Sequence, residues 1–150
     1  MAFNLCNAQP FAGALPMMWW DKYVGLPFKD GARGPHEFDC WGIVQSSYRD
    51  HCGIDLPTYG DISAMDVIAV VKAMSKGIRE NIWTPVEIPQ EFDLCLMKTG
   101  SKPFPGHIGV MVSGTRLIHA CPDANVVVVD RTHHTVKHRI IGYLRHKCLS

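Results

Sequence analysis

Apolar residues recur at every fourth position from Cys40 through Val44 and Tyr48 to Cys52, with Trp41 and Ile43 widening the stripe. That period predicts an amphipathic helix, which Asp39 is placed to cap and Gly53 to end. A second run at helical spacing, Ala64, Val67, Ile68, Val71 and Met74, follows Ser63. Ser63 and Asp66 make an approximate capping box there, and Gly77 is the expected stop. Trp19–Val24 predicts a shorter helix ahead of Gly25-Leu-Pro27. Pro85 and Pro89 break regular structure, and the pattern then changes to short segments with strand character. These are Phe92–Lys98, His107–Val112, Arg116–Cys121 and Asn125–Arg131, with a fifth near His138–Arg145. Helices first and consecutive strands afterwards predict an α+β fold with an antiparallel sheet.

The chain has 150 residues, enough for one compact domain, and 47% of them are hydrophobic, which suits a packed core. Residues 1–18 read as an irregular arm and 19–150 as a single domain. A net charge of +1 lacks the basic footprint of a nucleic-acid binder. The apolar run Phe11–Trp20 is interrupted by Gly13 and Pro16; it is too short for a membrane span and lacks the charged start of a secretion signal. Six cysteines are scattered along the chain with no CxxC pair, so neither a disulfide framework nor a zinc motif is expected. Of eight histidines, His133, His134, His138 and His146 crowd the C-terminal end. They read as surface residues on late strands, with a metal-binding module as the competing reading.

With Asp39 as cap, Cys40 falls at the first helical position. Unpaired N–H groups and the helix dipole there favour a thiolate and suit an oxyanion. A cysteine in that place also serves as an ordinary buried packing residue. Gly42 lies in the first turn, where glycine costs about 1 kcal/mol relative to alanine. Close approach of another group, or tight packing on a strand, would offset that cost. His107 in Gly106-His-Ile-Gly-Val-Met-Val112 and His119 in Leu117-Ile-His-Ala120 stand 12 residues apart around the turn signal Ser113-Gly-Thr115. A three-residue hairpin loop, with Gly114 in the left-handed conformation, would set both imidazoles on one face of adjacent strands. Nucleophile, base and orienting group can be built from such a set, although strand histidines are also ordinary hydrogen-bonded core residues.

Phe38-Asp-Cys-Trp-Gly42, then Gly106-His-Ile-Gly-Val110, then Leu117-Ile-His-Ala120 resembles the NlpC-like family of cell-wall cysteine peptidases, in order and in spacing. The resemblance runs from about Trp20 to the C-terminus. It implies a trimmed papain-like fold, with the nucleophile helix packed on an antiparallel sheet that carries the base. It further implies a Cys-His-His triad of Cys40, His107 and His119, without metal or organic cofactor. The substrate implied is a peptidoglycan stem peptide, cut between D-glutamate and a diamino acid.

Two positions depart from the family pattern. Phe28 stands where a tyrosine is usual, and Trp41 replaces the serine after the nucleophile. Trp41 either lines the substrate groove or packs in the core. Tyr23-Val-Gly-Leu-Pro27, together with Phe38-Asp-Cys-Trp-Gly-Ile-Val44 and Gly53-Ile-Asp-Leu-Pro57, is most similar to the branch found in phage tails. That branch implies a virion protein made in the host cytoplasm without a signal peptide, with other tail-tip proteins as partners. A structural tail-tip subunit that keeps the fold with weak or no turnover is the alternative.

Overall fold

The computed structural model describes residues 16–57, 72, 75–100 and 105–150. Helix α1, Cys40–Cys52, forms where the fourfold period predicts it. Asp39 stays extended and its carboxylate accepts the Gly42 N–H at 2.7 Å, satisfying one orphan donor of the first turn. Gly53 ends the helix in the left-handed conformation, φ 65°, and its N–H bonds the Tyr48 carbonyl.

The helix is more deeply covered than one apolar stripe requires, because every residue from Cys40 to Tyr48 is buried. Its polar members are satisfied internally: Ser47 Oγ donates to the Ile43 carbonyl at 2.7 Å and Gln45 Nε2 to the Leu56 carbonyl at 3.2 Å. Gly42 admits the loop in front of the helix. A Cβ at that position would lie 2.4 Å from the Ala32 carbonyl oxygen.

Six strands follow: β1 Trp83–Val86, β2 Leu94–Lys98, β3 Pro105–Met111, β4 Arg116–Cys121, β5 Asn125–Asp130 and β6 Ile140–His146. They form one sheet in the order β1-β6-β2-β3-β4-β5, and every pairing is antiparallel. Alternation along the strands divides the core. Leu94, Leu96, Ile108, Val110 and Ile118 join Ile43, Val44 and Tyr48 of α1 on one face. Cys95, Met97, Met111 and Leu117 pack with Val136 on the other. Burying each such aliphatic side chain stabilises the fold by about 1.5–3 kcal/mol relative to exposure.

Three sequence expectations change. Pro85 does not break structure; it sits in β1, an edge strand paired with β6 alone, where a missing N–H is tolerated. Trp19–Val24 is a run of turns rather than a helix, built on bonds such as Asp21 N–H to the Met18 carbonyl and Tyr23 N–H to the Trp20 carbonyl, both 3.0 Å. The helix expected from Ser63 falls mostly outside the described residues, but 72 and 75–79 are helical, so Gly77 does not stop it. Gly77 is small because Trp83 lies against it: a Cβ would stand 2.4 Å from Trp83 Cδ1. Residues 1–15 of the expected arm are outside the described residues, and 16–18 are irregular. Among the described residues, no helix is long and apolar enough to cross a membrane.

Candidate active site

Cys40 opens α1 and is only 3% exposed. The β3–β4 ladder consists of Val110↔Ile118 and Met111↔Leu117. Nearer the start of β3 the two strands no longer pair, and the Ile108 N–H is directed instead at the Cys40 sulfur, as is that of Trp41. The sequence favours a thiolate here, but burial and then the Asp39 charge push the thiol up to about 12. The two N–H groups and Arg33 pull the other way without prevailing. Cys40 at rest is a neutral thiol. Asp39 itself is fully buried, paired with Arg33 and bonded by the Gly31 N–H at 3.1 Å.

His107 and His119 meet as the hairpin pattern predicts. Nε2 of His107 lies 2.8 Å from Nδ1 of His119, which requires both rings on one face. The three-residue loop Ser113–Thr115 is closed by the Val112 N–H on the Arg116 carbonyl at 2.9 Å. Gly114 does not adopt the expected left-handed conformation. Ser113 Oγ makes the turn instead, accepting the N–H groups of Thr115 and Arg116, each at 3.2 Å. Gly109 allows the close approach of β4, since a Cβ there would lie 2.9 Å from the Ile118 carbonyl oxygen and 3.2 Å from His119 Cβ. Burial lowers both imidazoles, His119 to about 4 and His107 well below its usual range. His119 adds to the effect on His107, and the Arg139 charge acts on both. Both rings are therefore neutral at pH 7.

His107 pairs with Met97 and shares its face of the sheet, whereas α1 covers the opposite face through Ile108 and Val110. Cys40 and His107 thus reach the site from the two sides of β3, where its ladder with β4 has opened. Both border one cleft of about 320 Å³, together with Phe28, Cys121, Asp123 and Arg139.

Sequence reasoning missed three of these neighbours. Cys121 follows His119 by two strand positions, so alternation could have placed it on the same face; its Sγ lies 3.2 Å from His119 Nδ1 and 3.5 Å from Nε2. Asp123 and Arg139 come from turns, and no local pattern marks them. Phe28 borders the cleft without a hydroxyl, and its N–H is held by Asn125 Oδ1 at 3.2 Å. The two options for Trp41 are decided: it is buried in the core and its Nε1 donates to the Pro57 carbonyl at 2.7 Å. Among the described residues, the metal-ligating side chains that gather in a group are His107, His119 and Cys121. His133, His134 and His138 are exposed. His146 is buried, with Nδ1 accepting the Cys148 N–H at 3.2 Å.

The fold has solved relatives. A Staphylococcus aureus protein of the NLP/P60 family, described as similar to lipoprotein, shares 24% identity at a TM-score of 0.58, over 83% of this chain and 38% of that one. The NlpC/p60 domain of the peptidoglycan hydrolase SagA shares 21% identity at a TM-score of 0.56, over 83% of this chain and 90% of that one. A Bacillus cereus NlpC/P60 family protein shares 20% identity at a TM-score of 0.60, over 83% of this chain and 36% of that one. The chain therefore spans well under half the length of the Staphylococcus and Bacillus proteins. These likenesses establish the α+β arrangement, a helix packed on an antiparallel sheet in the papain-like manner. A comparison with curated proteins found no match. The sequence profile of the NlpC/P60 family matches residues 25–145, and the chain belongs to that family of cysteine peptidases.

Proposed function

We propose that this protein is a cysteine endopeptidase that hydrolyses peptidoglycan stem peptides at the bond between D-glutamate and a diamino acid. Cys40 is the nucleophile, His107 the base and His119 the group that orients it. The observation that carries the reading is the 2.8 Å bond between the two histidines beside a cleft bordered by Cys40 and His107. His107 Nε2 is engaged with His119, so proton transfer falls to Nδ1. Because thiol and imidazole start neutral, His107 takes the Cys40 proton as sulfur attacks the amide carbonyl, rather than beforehand. Backbone N–H groups at the start of α1 stabilise the oxyanion. The imidazolium returns its proton to the leaving amine, and water then hydrolyses the thioester.

In the same reading the chain works in a phage tail, beside other tail-tip proteins and against the wall of the host. The support is the similarity of Tyr23-Val-Gly-Leu-Pro27 and Gly53-Ile-Asp-Leu-Pro57 to that branch of the family. Two observations favour a second reading, a tail subunit that keeps the fold without turnover: Cys40 is only 3% exposed, and Phe28 offers the cleft no hydroxyl.

Incubation with purified peptidoglycan, followed by mass spectrometry of the released fragments, separates the two. New termini at D-glutamate and the diamino acid support the enzyme. No release by a protein that melts as a folded domain supports the structural subunit.

A further inference from the structure

We propose that His107, His119 and Cys121 form a binding site for a borderline-soft divalent cation of the zinc type. Occupancy of that site and use of His107 as a base exclude each other. One ligand atom from each residue lies within 4.8 Å of the other two. The separations are 2.8 Å between the imidazole nitrogens and 3.2 Å from Cys121 Sγ to His119 Nδ1. Donors around a tetrahedral zinc ion stand roughly 3.5 Å apart. Cys121 Sγ lies over the face of the His119 ring, 3.2 and 3.5 Å from its two nitrogens, so rotation of that ring and loss of the His–His hydrogen bond open the trio to a metal.

The donor set selects the metal. Two imidazole nitrogens and one thiolate suit zinc or a similar transition metal, and do not suit calcium or magnesium, which take oxygen ligands. The scaffold is rigid on two sides, since His107 comes from β3 and both other ligands from β4. Cys121 is only half-buried and borders the cleft with His107, so a cation has an entry path and a water has room at the fourth position. Two charges face the cleft: Arg139 opposes a cation and supports the thiolate, while Asp123 favours the cation. Coordination releases the Cys121 thiol proton to solvent and moves the hydrogen shared by the two histidines to a non-ligating ring nitrogen.

The metal site stands on this geometry alone; its effect on hydrolysis rests on the catalytic reading above. The test is titration of the reduced full-length protein with Co²⁺, which reports thiolate ligation through a near-ultraviolet charge-transfer band and tetrahedral geometry through visible absorption. The expected result is saturation at one Co²⁺ per chain, with Zn²⁺ displacing the signal. The charge-transfer band should vanish in Cys121→Ser, weaken in His119→Gln and persist in Cys40→Ser, each variant being checked for folding by its thermal melt. No band in the wild type, a band that survives Cys121→Ser, or one that disappears in Cys40→Ser overturns the site.

Hydrolysis supplies the second readout. Zn²⁺ should suppress stem-peptide cleavage and a chelator should restore it. A cobalt band in a protein whose metal-free form cleaves nothing sinks the catalytic reading and keeps the site; cleavage untouched by Zn²⁺ at concentrations that fill the site sinks the exclusion.

Discussion

The imidazoles of His107 and His119 meet across two strands because the register of β3 on β4 offsets them diagonally. Val110 pairs with Ile118, so Gly109 rather than His107 stands opposite His119, and His107 reaches across by one diagonal step. A side chain at 109 would push the strands apart; glycine leaves His119 free to approach until its Nδ1 lies 2.8 Å from His107 Nε2. The bond engages Nε2 of His107 and leaves its Nδ1 as the other ring nitrogen. With both rings buried, it also offsets part of their desolvation.

His119→Ala should lower kcat by about 10²- to 10⁴-fold with a much smaller effect on KM, since it leaves His107 without an orienting partner. His119→Asn, which can still hydrogen-bond, should recover part of the loss. Equal changes in kcat and KM, or no recovery with asparagine, would assign His119 to packing. Steady-state kinetics on a synthetic stem peptide reads the difference.

Phe28 borders the cleft with a ring that lacks a donor. If an oxyanion donor is missing there, Phe28→Tyr should raise the cleavage rate, by up to about 10²-fold, with little change in melting temperature. An unchanged or lower rate would place oxyanion stabilisation on the backbone N–H groups at the start of α1.

Gly42→Ala sets two effects against each other. Alanine gains about 1 kcal/mol of helix propensity. Its Cβ would, however, lie 2.4 Å from the Ala32 carbonyl oxygen, a backbone atom that cannot rotate away. Overpacking of this kind costs on the order of 1–3 kcal/mol, so net destabilisation is expected in a urea melt. A more stable variant would show that the loop before α1 yields easily.

Stability should depend on pH in opposite senses at the two ends. Burial holds His119 at about 4 against 6.5 for the free group and lowers His107 as well, so the unfolded chain binds more protons in that interval. The histidine contribution is complete above pH 6.5 and falls as pH drops towards 4, by up to about 1.4 kcal/mol per pH unit for His119. Cys40 works the other way: its thiol is raised from 9.0 to about 12, so its contribution is present below pH 9 and is lost as pH rises towards 12. Thermal melts across pH check both limbs, and a flat acid limb would mean that the histidines are not buried neutral.

The parts of this fold that repeat a local period were legible in the sequence. Helix α1 and its caps followed from residues four apart, and the His107–His119 pairing followed from parity around a turn. Tertiary context supplied the rest. Pro85 argues against a strand locally, and only its place at the sheet edge makes β1 possible. The dipole argument for a Cys40 thiolate was outweighed by burial, which no local pattern reveals. Gly114 promised a left-handed turn that the Ser113 hydroxyl replaced. Asp123 and Arg139 join the cleft from turns distant in sequence, so their proximity to His107 is a property of the sheet alone.

The central claim, that Cys40 is the nucleophile, is tested most directly by intact-protein mass spectrometry during stem-peptide turnover. Quenched in acid, the wild type should carry the mass of the acyl half of the substrate, mapped to Cys40 after digestion. Cys40→Ala should show neither adduct nor product while melting as a folded protein. An adduct mapped to Cys121, or cleavage by Cys40→Ala at the wild-type rate, would contradict it.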